Sequence, residues 1–135
     1  MTTVAKALEA LNITEYTTSE EDYDNEQDFL DGFKKVTGTT SDGSAILSSD
    51  PLDFGVTWRA VDKKKQELID AEPLRLLRAE RDKRIAETDW WASSDLTMTQ
   101  AQIDYRQALR DITVTQTPAV DADGNLTGVT WPTKP

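Results

Sequence analysis

Four carboxylates near the middle of the chain are the residues whose chemistry could support catalysis. They are Asp82, Glu87, Asp89 and Asp95. A pair of carboxylates can cleave a glycosidic bond when the two groups face each other across a cleft. No pattern places these groups in a cleft, and salt bridges to neighbouring Arg78, Arg81 and Lys83 on a helix surface explain most of them. An acid-based hydrolase is therefore disfavoured.

The sequence contains no histidine and no cysteine. The lack of histidine excludes the Ser-His-Asp triad and the most common general base. The lack of cysteine excludes a thiolate nucleophile and a disulfide framework, and together the two absences exclude the common zinc sites. We therefore predict a protein that is not an enzyme and that holds no cofactor.

Two acidic stretches have a composition that could bind calcium. The segment 19–28 is rich in acids but lacks the alternate spacing and glycine turn of a calcium loop. Asp121, Asp123 and Asn125 do alternate, but Gly124 falls at the wrong place and no glutamate follows at the twelfth position. We interpret the first stretch as a solvated loop and the second as a hairpin turn, with no metal.

The net charge of −10 is distributed unevenly along the 135 residues. Residues 1–55 hold twelve acids and three bases, residues 56–88 carry a net charge of +2, and residues 89–135 a net charge of −3. Such a chain repels a phosphate backbone, so we expect no nucleic-acid partner. No apolar run approaches the roughly 18 residues of a membrane span, and no signal-peptide pattern is present. We expect no membrane partner and a reducing cytoplasm as its location.

Two opposed apolar stripes mark a long helix before residue 89. At about 100° per residue, Leu74, Leu77 and Ile85 share one narrow arc. The opposite stripe consists of Val61, Leu68, Ile69 and Leu76. Pro73 is compatible with one kinked helix and with two abutting helices, about 57–71 and 73–88. Two stripes need two burial surfaces, so either the module of residues 1–55 or another protein chain must cover the second stripe. We predict that part of it is a subunit or partner interface.

A turn and a second helix complete a predicted helical hairpin. Thr99 and Gln102 have the spacing of a capping box, which starts the second helix. Tyr105 and Leu109 share its inner face, whereas Arg106 is expected to point away from that face.

The dipeptide Asp89-Trp90 in the turn is predicted to be a structural corner. Asp89 should accept backbone or arginine hydrogen bonds, and Trp90 should be buried against Tyr105 or Leu109. Replacing a buried Trp90 by alanine would cost roughly 3–5 kcal/mol. Packing of both tryptophans against the hairpin is the interpretation that we favour. The alternative is one tryptophan kept for a partner, since tryptophan is enriched in interface hot spots, and we assign that role to Trp91.

Shorter elements flank the hairpin and give an α+β fold. Residues 1–56 predict a small acidic α+β module, with helices over 3–11 and 25–35, strands over 12–18 and 44–48, and Phe54 as the anchor of a loop. The second strand could pair with the first or with the region 35–37. The predicted second domain, 57–135, holds the helical hairpin and then a β-hairpin over 114–131 with Gly124 in a left-handed turn position. Trp131 should anchor that hairpin, and Pro132 keeps the end extended.

Three ordered blocks in the last third of the chain resemble a known family. The first block is Arg81, Asp82, Ile85, Thr88, Asp89 and Trp90; the second is Tyr105, Arg106, Gln107, Leu109, Arg110, Asp111 and Ile112; the third is Trp131, Pro132 and Pro135. In this order and spacing they are similar to the C-terminal region of phage tail assembly chaperone proteins. Residues 91–98 depart from the proline-rich linker of many members, and residues 1–62 lie outside the resemblance.

The resemblance implies a non-enzymatic bacteriophage protein that contacts tail or tail-fibre proteins. It leaves open whether the protein is an assembly chaperone in the host cytoplasm or a resident component of the virion tail. A generic protein-binding adaptor with no phage role is the alternative that the residues themselves allow.

Overall fold

The computed structural model describes residues 2–135 and has an α+β fold, which confirms the predicted fold class. The α-helices are α1 (Val4–Ala10), α2 (Glu26–Gly32), α3 (Trp58–Ala86), α4 (Gln100–Arg110) and α5 (Ile112–Thr115). The strands are β1 (Tyr16–Thr18), β2 (Phe33–Thr39), β3 (Ala45–Ser48), β4 (Ala119–Val120) and β5 (Leu126–Thr127). Short 3₁₀ turns cover Pro51–Asp53 and Asp89–Ala92. Within residues 2–135, none of the helices combines the length and the apolar character needed to cross a bilayer.

The chain divides into two compact units, Met1–Asp70 and Ala71–Pro135. The sequence placed a domain boundary after residue 56, at the start of α3. The first unit extends further because the first turns of α3 take part in it. Val61 is fully buried in its core, and the Lys65 ammonium lies 2.7 Å from the Asp22 carboxylate.

Aromatic packing forms the core of the first unit. The Phe29 and Phe33 rings stack with centroids 5.0 Å apart, and the Phe54 ring meets the Phe33 ring edge-on at 4.7 Å. All three side chains are almost completely buried, together with Leu8 and Val61. Phe54 therefore is the anchor that the sequence predicted for its loop. Such aromatic pairs add about 0.5–1.5 kcal/mol each to the effect of burial.

The sheet of the first unit is antiparallel, with the strand order β1-β2-β3. Of the two pairings predicted for the strand 44–48, the one with the region 35–37 is correct, since Lys35 lies opposite Ser48. The helix predicted through residue 35 ends at Gly32 instead. A Cβ atom on Gly32 would lie 2.4 Å from the Tyr23 hydroxyl, so the backbone there approaches its neighbours closely. Sheet pairing then outweighs the helical periodicity of the following residues.

Helix α3 is one continuous element that contains Pro73. Of the two alternatives from the sequence, a single helix is therefore correct. The Thr57 hydroxyl accepts a hydrogen bond from the Ala60 amide at 3.2 Å, which satisfies one free donor of the first turn.

Helix α4 begins with the predicted capping box. The Thr99 hydroxyl accepts from the Gln102 amide at 3.2 Å, and the Gln102 side chain accepts from the Thr99 amide at 2.9 Å. Tyr105 and Leu109 are buried on the inner face, as the periodicity predicted.

The C-terminal hairpin is present but its strands are short. Val120 pairs with Leu126, and Gly124 has a φ of +83°, as its turn position requires. The Asp121 carboxylate accepts hydrogen bonds from the amides of Asp123 and Asn125 at 3.0 and 2.8 Å. Backbone hydrogen bonding thus lowers the pKa of Asp121, and its carboxylate stabilises the turn.

Candidate protein-binding site

A partly buried polar network joins the end of α3 to α4 at the corner between the two helices. The Arg106 guanidinium donates to the Ile85 carbonyl at 3.1 Å, to the Thr88 hydroxyl at 2.8 Å and to the Asp89 carboxylate at 3.0 Å. Thr88 is fully buried, and its hydroxyl donates to the Ile85 carbonyl at 3.0 Å. The predicted arginine hydrogen bond to Asp89 is therefore confirmed.

The prediction that Arg106 points away from the core is wrong. Its Cα lies at the edge of the inner face of α4, but the long side chain reaches across to the end of α3. There the backbone carbonyls lack partners within the helix, and the planar guanidinium can donate to several acceptors at once. Helical periodicity gives the direction in which a side chain leaves the backbone, whereas this contact depends on the position of the guanidinium at the end of a long side chain.

Trp91 is the buried tryptophan of the corner. Only 4% of its surface is exposed, and its ring centroid lies 6.0 Å from that of Tyr105. Leu109 belongs to the same cluster, and Ile85, Met98 and Trp131 pack against it. Trp91 therefore offers no free surface to a partner, contrary to the role that the sequence assigned to it.

Trp90 is exposed over 61% of its surface, so the prediction that it is buried is wrong. The 3₁₀ turn over Asp89–Ala92 separates consecutive side chains by about 120°, so only one tryptophan can face Tyr105. The Trp90 ring meets the Trp91 ring edge-on, with centroids 6.1 Å apart. The exposed indole of Trp90 thus packs against the buried indole of Trp91.

The C-terminal tail packs onto the same unit. The Arg84 guanidinium lies 4.3 Å from the centre of the Trp131 ring, and the Lys134 ammonium lies 5.8 Å from the Trp91 ring. The Thr130 amide donates to the Gln116 side chain at 2.9 Å. Trp131 thus ties the tail to the corner, and Pro132 next to it is half-buried.

An open, mainly apolar groove runs beside Trp131 in the second unit. It is lined by Leu76, Ala79, Glu80, Lys83, Leu126 and Trp131. Leu76, one of the residues assigned to a partner, is half-buried at its edge. The groove is a second place where an apolar side chain of another protein could bind.

The other residues assigned to a partner differ in exposure. Val61 is completely buried within its own unit and offers no surface, since the aromatic core of that unit extends to it. Leu68 is half-buried, and Ile69 is 41% exposed. A partner role for Leu68, Ile69 and Leu76 stays a prediction.

The carboxylates considered for catalysis are partly engaged in ion pairs. Asp82 pairs with Arg81 at 2.8 Å and Asp89 with Arg106 at 3.0 Å. Over the described range 2–135, the structure holds no group of three or more acidic side chains placed to bind a metal ion. The arrangement as a whole supports binding through exposed apolar side chains on a fixed corner.

Comparison with known proteins finds a similarity that is confined to the second unit. Residues 74–135 match the family model described as phage tail assembly chaperone protein. This confirms the resemblance of the C-terminal region, and the matched segment nearly coincides with the unit Ala71–Pro135. Comparisons with curated proteins and with solved structures gave no match. The structure brings together motif residues that are distant in sequence, since Thr88 and Asp89 both bond Arg106.

Proposed function

We propose that this protein acts without catalysis in the assembly of a bacteriophage tail, by binding a tail or tail-fibre protein through its C-terminal unit. The family match of residues 74–135 supports a role in tail assembly. The observation that carries the mode of action is Trp90, a large aromatic side chain that is mostly exposed on a corner with a partly buried polar network.

Trp90 has the properties of an interface anchor. An indole in water leaves a large apolar area hydrated, which costs about 25 cal/mol per Å² relative to burial. Its position is fixed before binding, because Trp91 supports its ring and Arg106 ties the flanking Asp89. A preorganised aromatic anchor loses little entropy on binding, and such residues dominate many interfaces. We infer that the partner offers an apolar pocket for this ring.

Genetic complementation in the phage or prophage that carries the gene tests the proposal. A null allele should give particles without complete tails or fibres, which electron microscopy can count. Wild-type protein supplied in trans should restore them, and Trp90→Ala should restore far fewer. Val114→Ala is the matched control, because Val114 is an apolar side chain of the same unit that is 87% exposed. Equal rescue by both variants would remove Trp90 from the mechanism.

Mass spectrometry of purified virions and the phenotype of the null allele together separate the remaining alternatives. Under the proposal, an assembly chaperone acts in the host cytoplasm and is absent from purified virions. A resident tail or fibre component is present in them at a fixed ratio to the other tail proteins, which mass spectrometry of virions would detect. A generic adaptor with no phage role predicts that the null allele leaves tails and fibres intact.

A further inference from the structure

One edge of the N-terminal sheet is formed by β3, which pairs with no further strand among residues 2–135. Strand β3 is paired with β2 on one side and ends the sheet order β1-β2-β3. Edge strands carry backbone donors and acceptors that can pair with another chain, and proteins usually block them. From residue 36 to residue 58 the sequence has no lysine or arginine, and its one proline, Pro51, lies beyond the strand.

Two apolar side chains of β3 are exposed on opposite faces of the strand. Ile46 is 45% exposed and Leu47 is 43% exposed. Because consecutive residues of a strand point to opposite faces, exposure of both means that each face of this edge is only partly covered. An added strand would place its own side chains beside Ile46 on one face and beside Leu47 on the other.

Apolar surface continues beyond the end of the strand. Leu52 in the following 3₁₀ turn is 91% exposed and lies at an open groove that also includes Leu11 and Val56. The Ser48 hydroxyl donates to the Asp53 carboxylate at 2.6 Å, which ties this turn to the end of β3. A segment that pairs with β3 could therefore also place an apolar side chain on Leu52.

The charge around the edge is negative. Asp42 precedes β3, and Asp50 and Asp53 follow it, with no basic residue between residues 36 and 58. Lys35 lies opposite Ser48 on β2, but its ammonium donates to the Thr14 carbonyl, on the side of β1. Hydrogen bonds from the Thr40 hydroxyl and the Ser44 amide lower the pKa of Asp42 to about 2, so its negative charge persists in acid.

This charge selects among the possible occupants of the edge. In an antiparallel pair of two β3 strands, Asp42 of one copy would approach Asp50 of the other, and like charges across strands are destabilising. A second copy would also bring a module whose residues 1–55 carry a net charge of −9. A segment with lysine or arginine beside its apolar residues meets complementary charge instead.

We propose that β3 accepts, by strand addition, an extended segment of another protein that alternates basic and apolar residues. Main-chain hydrogen bonds would supply affinity, as in other complexes of this type. Because its apolar residues alternate with basic ones, the apolar side chains would all lie on one face of the added strand, beside Ile46 or beside Leu47 but not beside both. The aspartates at both ends of the strand would select the basic ones.

A synthetic peptide of alternating lysine and valine, about seven residues long, is the probe, since this is the length of an ordinary strand. Binding to the full chain is measured by calorimetry, and amide hydrogen exchange of Ala45–Ser48 is followed by nuclear magnetic resonance. The proposal expects binding together with slower exchange of amides in β3. Absence of binding at millimolar peptide, or binding without any change in β3 exchange, would overturn it.

Two methylated copies of the peptide test the hydrogen bonding directly on the unmodified protein. One copy carries N-methyl groups on the backbone amides of its lysines and the other on the backbone amides of its valines. Because the amides of alternate residues point to the same edge of a strand, each copy has a different edge blocked. Strand addition expects one copy to bind about tenfold more weakly than the other, because only one edge faces β3. Equal affinity of both copies and the parent peptide would show simple charge attraction.

Matched variants locate the site on the protein. Ile46→Lys adds a cation at the edge and removes an exposed apolar side chain, and it should weaken binding about tenfold. Glu20→Gln makes the same change in net charge at an exposed residue outside β3, and it should weaken binding less than about twofold. An equal loss in both variants, with unchanged melting temperatures, would assign the binding to the acidic module in general.

Discussion

The Thr88 hydroxyl and the Arg106 guanidinium form a hydrogen bond of 2.8 Å between residues 18 positions apart. Thr88 is completely buried, and its hydroxyl also donates to the Ile85 carbonyl. One side chain thus satisfies an acceptor at the end of α3 and a charged donor from α4. Removing one partner of such a bond costs more free energy of unfolding than removing both, because the remaining group stays buried and unpaired.

We predict that Thr88→Val destabilises the second unit by about 1–3 kcal/mol, since the valine keeps the shape but leaves an Arg106 N–H without its acceptor. Thr88→Ser retains the hydroxyl and loses one methyl group, so it should cost about 1 kcal/mol. Urea unfolding of both variants measures the free energy of unfolding. A valine variant as stable as the wild type would mean that the network adds nothing.

The adjacent tryptophans should behave in opposite ways on truncation. Trp91→Ala empties a buried site and should cost about 3–5 kcal/mol in the free energy of unfolding. Trp90→Ala removes a mostly exposed ring and should change stability by less than about 1 kcal/mol while weakening partner binding. Thermal unfolding of the two variants side by side is the measurement. A large stability loss at Trp90 would place that ring in the core after all.

The ion pair between Asp22 and Lys65 should make stability depend on pH. Burial raises the pKa of Asp22, but the Lys65 hydrogen bond and charge and the Val4 amide together outweigh it, so the pKa lies below its ordinary value. A lowered pKa contributes stability that is present above the unfolded value of about 4 and is lost as the pH falls through the folded value.

Asp22→Asn should therefore cost about 0.5–1 kcal/mol at pH 7, because the carboxylate is partly exposed and solvent screens the pair. The difference in the free energy of unfolding between this variant and the wild type should shrink below about pH 4. Urea denaturation of both proteins at several pH values measures this difference. Glu20→Gln, which changes the same charge at an exposed residue, is the control. A difference that stays constant down to strongly acidic pH would exclude this role.

Deletion of Gly128–Pro135 should lower the melting temperature. It removes Trp131 from the Arg84 guanidinium and Lys134 from the Trp91 ring, together with the hydrogen bond from Thr130 to Gln116. Scanning calorimetry of the full and truncated chains tests this. If both melt at the same temperature, the tail is a free arm available to a partner.

Self-association through Leu68, Ile69 or Leu76 stays a prediction. Ile69 is 41% exposed, and the other two are half-buried. Sedimentation at micromolar concentration should then show a species larger than a monomer, and Ile69→Lys should dissociate it. Thr97→Lys, which adds the same charge at another exposed residue, is its control. A monomer under all conditions would leave these residues to a different protein or to no partner.

Local signals predicted the parts of the fold that depend on neighbouring residues. The capping box of Thr99 and Gln102 and the glycine turn at Gly124 require only a few consecutive residues. Which of Trp90 and Trp91 is buried was not predictable in this way, because it depends on where Tyr105 and Leu109 lie after folding. The end of α2 at Gly32 likewise depends on the approach of Tyr23 and on pairing with distant strands.

The placement of the four tryptophans gives each unit its own intrinsic fluorophore. Trp58 packs against Phe29 in the first unit, whereas Trp90, Trp91 and Trp131 all belong to the second. Trp90 is the indole most open to an aqueous quencher such as iodide, while Trp91 is shielded. Entry of Trp90 into an apolar pocket would shift its emission to shorter wavelength and protect it from quenching. Partner binding at the corner can therefore be titrated by fluorescence without attaching a dye.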